Sequence, residues 1–201
     1  MYSKKGNAKI WVIVLVIILG LVILTAIIGG GCYLLYKIGN TNNTTNNQTK
    51  PANTSKTGWL DYKNSRYNFA VKYPQSFEKT ESINGDGATF TSQSPAITLR
   101  IFGVLATGMT AEQYLAMGKE SLITEMGTVE EIGNESFNLG NLPGKRLVLK
   151  YKDPVLGEFT VEDQITAVKN DVAYNLTMTI AFSDYSEYSK MLEEMAATFS
   201  L

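Results

Sequence analysis

Between Ile10 and Tyr36 the chain runs for 27 residues without a charged side chain, and no other feature limits its architecture so strongly. A hydrocarbon core of about 30 Å is crossed by roughly 20 apolar residues in a helix. The sequence therefore predicts one transmembrane helix over residues 10–36. Trp11 stands at one end of the run and Tyr33 and Tyr36 at the other, where amphipathic rings favour the membrane interfaces. Lys4, Lys5 and Lys9 precede the run, and only Lys37 follows closely. The positive-inside rule then puts residues 1–9 in the cytoplasm and everything after about Lys37 outside. The expected location is the cell membrane, single-pass, with the lipid bilayer as the first partner.

Two other readings compete. A cleaved signal peptide has an apolar core of about 7–15 residues and a small-residue cleavage site; this run is longer, and Thr25-Ala26-Ile27 matches such a site poorly. Lipidation of Cys32 suits the preceding Gly31. However, Gly29 stands where bacterial lipoproteins usually carry Leu, and the run stays apolar through Tyr33-Leu34-Leu35-Tyr36. An uncleaved anchor is favoured, with Cys32 a small apolar residue within it. Gly29-Gly30-Gly31 would let a second helix approach, without forming a G-x-x-x-G pair.

Residues 37–57 are rich in Asn and Thr and nearly free of apolar side chains. Such a stretch buries too little surface to offset its ordering entropy, so a flexible tether is expected. N-x-[ST] matches fall at Asn42, Asn43, Asn47 and Asn53, with further ones at Asn134 and Asn175. The cluster on an exposed tether points to an archaeal source, although in most bacteria it would be only a solvated linker.

Charge is partitioned sharply. All six charged residues up to Thr57 are lysines, which leaves 12 bases against 19 acids beyond it, a net charge of −7. A domain that acidic repels phosphate backbones, so nucleic acid is not an expected partner. There is no histidine, and the single cysteine is Cys32. The commonest general base and metal ligand are therefore missing, along with Ser-His and Cys-His catalytic pairs and any disulfide framework.

From Gly58 onward the apolar pattern predicts one α+β domain over residues 58–201, an antiparallel β-sheet with packed helices. Phe69–Tyr73 alternates and stops at Pro74, as a strand does at its exit. Ala88–Thr91 and Ile97–Phe102 follow as strands around a Ser-Gln-Ser-Pro turn. Thr110 with Gln113 forms a capping-box pattern ahead of a helix whose apolar face is Tyr114, Leu115, Leu122 and Met126. Further strands are expected at Thr128–Phe137, Lys145–Tyr151, Phe159–Val168 and Val172–Phe182. The turns between the last three are Asp153–Gly157 and Lys169–Asp171. In Val172–Phe182, Tyr174, Leu176, Met178 and Ile180 share one face. A closing amphipathic helix, begun by Ser183 or Asp184, carries Tyr185, Tyr188, Met191, Leu192, Met195, Ala196 and Phe199.

The stretch Tyr62-Lys63-Asn64-Ser65-Arg66-Tyr67-Asn68-Phe69-Ala70-Val71-Lys72-Tyr73-Pro74 resembles the opening signature of PsbP-like domains, Y-x-N-x-x-x-x-F-x-x-x-Y-P, which forms a first hairpin. Leu142–Arg146, Asn170–Tyr174 and the closing Phe199-Ser200-Leu201 are similar too, so the resemblance spans most of residues 58–201. It implies a PsbP-like fold. The family's namesake is an extrinsic subunit of the photosynthetic oxygen-evolving complex, and a Ran-binding nuclear protein shares the fold. Its motifs are structural and assign no chemistry to any residue here.

No catalytic, cofactor-binding or metal-ligating residue is assigned. The acid pairs Glu130-Glu131, Glu162-Asp163 and Glu193-Glu194 are read as solvated surface: glycosidase chemistry needs two carboxylates facing one sugar, and Glu193 and Glu194, adjacent on the last helix, do not share a face. Asn84-Gly85-Asp86-Gly87 is read as a hairpin turn; Asn84 and Asp86 as calcium ligands are the rival. Tyr62, Tyr67 and Tyr73 are read as core packing, with a binding groove the rival. The expected function is a membrane-anchored, extracytoplasmic, non-enzymatic binding or accessory module with an envelope protein as partner. The alternatives are a carboxylate-dependent hydrolase of envelope glycans and an oligomeric sensor or scaffold working through the transmembrane helix.

Overall fold

The computed structural model describes residues 58–201. The expected membrane span over 10–36, the tether over 37–57, Cys32 and the N-x-[ST] matches up to Asn53 lie outside the described residues. Within them, no helix is long and apolar enough to cross a membrane.

A hairpin of β1 (Trp59–Asn64) and β2 (Phe69–Pro74) is followed by β3 (Glu78–Glu81), β4 (Gly87–Gln93), β5 (Ala96–Leu105) and helix α1 (Ala111–Met126). Then come β6 (Val129–Leu139), β7 (Leu142–Lys152), β8 (Phe159–Lys169), β9 (Val172–Ala181) and helix α2 (Phe182–Ala197). Strands β3 to β9 form one antiparallel sheet in the order β3-β4-β5-β9-β8-β7-β6, and β1–β2 stand as a separate two-stranded layer. This is the α+β arrangement that the apolar pattern predicts.

Local chemistry explains most of the boundaries. Thr110 caps α1 as expected, its hydroxyl accepting from the Gln113 N–H while the Gln113 side chain accepts from the Thr110 N–H. Such a cap is worth about 1 kcal/mol. The β8–β9 turn places Asn170 and Asp171 in the left-handed region, at φ 52° and 60°. Positive φ at both central residues matches the twist of a two-residue hairpin, and Asn and Asp tolerate it. Several expected boundaries shift by one to three residues, two of them with a local cause. Helix α2 begins at Phe182, directly from β9, with no side-chain cap, and not at Ser183 or Asp184. Strand β7 begins at Leu142, not Lys145. Pro143 is accommodated there because β8 pairs with β7 only from Gly144 onward.

The two faces of the sheet are covered differently. On one, Phe90, Leu99, Ile101, Leu176, Met178 and Ile180 pack under Leu192, Met195 and Ala196 of α2 and under Tyr62, Phe69, Val71 and Tyr73 of the hairpin. On the other, Leu115 and Leu122 of α1 lie on Leu147, Leu149 and Tyr151 of β7. Gly103 makes room for the hairpin: a Cβ there would come within 2.6 Å of the Tyr67 ring.

Alternating strand direction decides what shares an end of the sheet. The β4–β5 turn, the β7–β8 loop and the start of α2 lie together. Pro74 joins them, because residues 75–77 connect it directly to β3 and the Phe77 N–H donates to its carbonyl. Gly58 lies there too, its carbonyl accepting from the Gln75 N–H at 2.7 Å. The β3–β4, β6–β7 and β8–β9 turns occupy the opposite end.

Candidate functional site

The strand period sends Glu162 and Asp163 of β8 to opposite faces of the sheet. Asp163 shares its face with Val161, Ile165 and Ala167 and is completely buried. Arg146 of β7, also buried, grips it through two parallel bonds, Nε to Oδ1 at 3.0 Å and Nη2 to Oδ2 at 2.7 Å. The remaining Arg146 nitrogen, Nη1, donates to Glu193 Oε1 of α2 at 2.8 Å and lies 3.4 Å from Glu135 of β6. Tyr185 completes the group by donating its hydroxyl to Asp163 Oδ2 at 2.9 Å. The guanidinium also lies 5.4 Å from the Phe137 ring centre, within cation–π range.

One reading is corrected by this arrangement and another is refined. Asp163 is not solvated surface but fully buried against Arg146, while Glu193, its side chain 42% exposed, is also tied to Arg146. Asp163 sits at a parity position of β8 otherwise filled by apolar residues, Val161, Ile165 and Ala167, and that irregularity was the available signal in the sequence; Arg146 shares its face of β7 with Gly144, Val148 and Lys150 and gave none. Sequence reasoning missed Arg146 because a cross-strand pair depends on register, which composition does not reveal.

The electrostatics follow from the geometry. Hydrogen bonds from Arg146 to Asp163 raise the guanidinium pKa above its already high value, against the opposing effect of burial. Burial foremost, then the Asp163 charge, pushes the Tyr185 phenol upward. The network is thus a charged clamp joining β6, β7, β8 and α2, with its donors directed at carboxylates. Among the described residues, every buried side-chain nitrogen or oxygen has a hydrogen-bond partner.

The other acids separate. Glu130 lies 3.3 Å from Lys150 and Glu131 2.7 Å from Lys119. Glu162, half-buried on the α1 face, accepts from the Gln164 side-chain amide. Burial is the main cause that raises the Glu162 pKa, so its neutral form is favoured on folding. The contribution of Glu162 to stability is therefore greatest below its unfolded pKa and lost as pH rises through the folded one. Glu162→Gln, which keeps the acceptor oxygen and removes the charge, is expected to be more stable than the parent at pH 7. The gap should close toward pH 4 in urea titrations; a gap that is constant with pH would sink this account.

The remaining sequence candidates fall into structural roles. Asn84 donates to Asp86 Oδ2 at 2.7 Å, so these side chains satisfy each other across the turn. Tyr73 stacks on Phe90 with centroids 4.2 Å apart, and Tyr62 meets Phe69 and Phe90 edge-on. Tyr67 packs on Gly103. The three tyrosines are packing residues, as expected. Asn175 is buried and bonded to Thr166, whereas Asn134 is exposed on β6. Among the described residues no His/Cys/Asp/Glu group of three or more is placed to hold a metal ion.

One concavity borders the clamp. A shallow, open depression of about 420 Å³ lies between β6 and α2, lined by Ser136, Phe137, Asn138, Gly140, Glu193 and Ala197. Its floor touches the clamp through Glu193 and Phe137. Its rim is β6, the last strand in the sheet order, 11 residues long and mostly exposed.

No family model matches the sequence, and no curated protein matches it either. Solved structures do. The chain is similar to cyanobacterial PsbP (CyanoP) from Synechocystis, with a TM-score of 0.54, 9% identity, and coverage of 80% of this chain and 98% of that one. It is also similar to the Ran-binding protein Mog1p of Saccharomyces cerevisiae, with a TM-score of 0.53, 7% identity, and coverage of 71% and 95%. At such identities the shared property is the fold, and that fold is PsbP-like.

Proposed function

We propose that this PsbP-like domain is a non-enzymatic binding module, held outside the cytoplasm by the apolar run of residues 10–36, which engages an envelope protein at the free edge of β6. The carrying observation is the combination of that edge with the depression beside it. A terminal strand presents unpaired N–H and C=O groups to an incoming segment, and the neighbouring pocket selects a side chain. An open depression suits a protein segment better than an enclosed small molecule. The clamp behind it holds β6 and α2 at a fixed separation. Mog1p, described as Ran-binding, indicates that this fold accommodates protein recognition.

The hydrolase reading draws no support from the carboxylates, since Glu162 and Asp163 diverge and Asp163 and Glu193 are bonded to Arg146.

A photo-cross-linking residue at Asn138 of the full-length chain, expressed in the source cells, is expected to give a discrete adduct with one envelope protein. The same probe at Ile83, fully exposed at the β3–β4 turn, should not. Adducts at neither site, or the same adducts at both, would remove β6 as the binding edge.

A further inference from the structure

At the end of the sheet where Gly58 lies, four large apolar side chains are exposed. Val155 and Leu156 form the tip of the β7–β8 loop and are 87% and 63% exposed. Phe159 at the start of β8 and Phe182 at the start of α2 are 53% and 44% exposed. Lys150 lays its ammonium 5.0 Å and 4.4 Å from their ring centres.

The tip is held outward. Asp153 Oδ1 accepts from the Val155 and Leu156 N–H groups at 2.7 and 2.8 Å, and the Gly157 N–H closes on the Asp153 carbonyl at 2.8 Å. Two aliphatic side chains at a pinned loop tip are not needed by the core, which is complete without them.

We infer that this end of the domain docks on the lipid bilayer, inserting Val155 and Leu156 with Phe159 and Phe182 at the interface. The inference rests on the membrane-anchor reading of residues 10–36. The chain leaves the domain at Gly58, on the same end as the apolar tip, and 21 residues (37–57) separate the predicted span from the domain. A coil of that length has a root-mean-square span of roughly 25 Å. The end bearing Gly58 is thus kept near the membrane, at an effective concentration that makes even a weak contact count. Lys150 fits the role, since a lysine stem crosses apolar surface while its head reaches the headgroups. Lys150 and Lys152 stand at this end together with Asp153, Glu158 and Glu130, so the charges roughly balance, and the contact draws on apolar insertion and shows no preference for anionic lipid.

The test uses the full-length chain with Cys32→Ser, so that one introduced cysteine carries an environment-sensitive fluorophore. It is placed at Leu156→Cys, or at Ile83→Cys on the opposite end, and the protein is reconstituted in phosphatidylcholine vesicles with and without brominated acyl chains. The expected result is blue-shifted emission at position 156, quenched at least two-fold by the brominated lipid, with position 83 unchanged. Co-flotation with the vesicles is measured in parallel. If the chain floats and position 156 is not quenched, the anchor stands and the docking fails. If both positions are quenched equally, the tip has no special role and the inference fails. A blue shift without quenching, accompanied by cross-linking between chains, would assign the tip to a second copy and overturn it. If the chain does not float, the anchor reading falls and the docking with it.

Discussion

Arg146→Met is expected to destabilise the domain by about 3–5 kcal/mol, because it leaves the carboxylate of Asp163 buried without its counter-charge. For a domain of this size that corresponds to a melting temperature lower by roughly 10 °C or more. The informative companion is the double variant Arg146→Met with Asp163→Leu. A buried ion pair recovers little more than its own desolvation cost, so replacing both partners by apolar residues is often neutral or stabilising. The double variant should therefore regain most of the lost stability while still lacking the bond to Glu193. Thermal and urea unfolding of both variants would decide it. A double variant as unstable as the single one would mean that the guanidinium acts mainly through Glu193, Glu135 and Phe137. The clamp would then be a tie between elements and not chiefly a neutraliser of Asp163.

Phe199→Ala should produce a loss of similar size, about 3–5 kcal/mol, for a different reason. The ring lies against Phe69 of β2 at 5.7 Å and Tyr174 of β9 at 5.4 Å, and it is buried. Beside it, the backbone of Ser200 pairs with Ala70 through bonds of 2.8 and 2.9 Å. The residues after α2 thus fasten the β1–β2 layer to the main sheet. Truncating the ring opens a cavity bordered by three elements, and hydrogen exchange should accelerate in β2 more than in β7 or β8. Uniform acceleration across the sheet would contradict this local role.

Much of the fold is legible in the sequence, for identifiable reasons. Strand β5 buries one face and β9 alternates apolar residues with Asn and Thr, so alternation marks both, and α1 carries both halves of its capping box. Strand β3 reads Glu-Lys-Thr-Glu and is exposed throughout, so it has no apolar period to detect. It exists because β4 offers it a paired edge. In the first hairpin, alternation up to Pro74 marks β2, whereas β1 was visible only through the resemblance to PsbP-like domains. Helix α2 starts without a side-chain cap, which removes the usual cue to its boundary. The candidate site was less legible still. Glu193 and Glu194 are adjacent and alike in sequence, and what separates them is the ion pair of Glu193 with Arg146 of β7, a contact between distant segments.

The order of the strands also carries a consequence in time. Strands β6, β7, β8 and β9 are sequential neighbours joined by short loops, so their pairings close small loops and can form early. Pairing β5 with β9 must instead enclose α1 and three strands, as in the register Leu105 to Val172. The half of the domain nearest the C-terminus is thus the expected nucleus, although synthesis delivers it last. Until β9 arrives, the strands before α1 have no central partner, and their apolar faces wait for it.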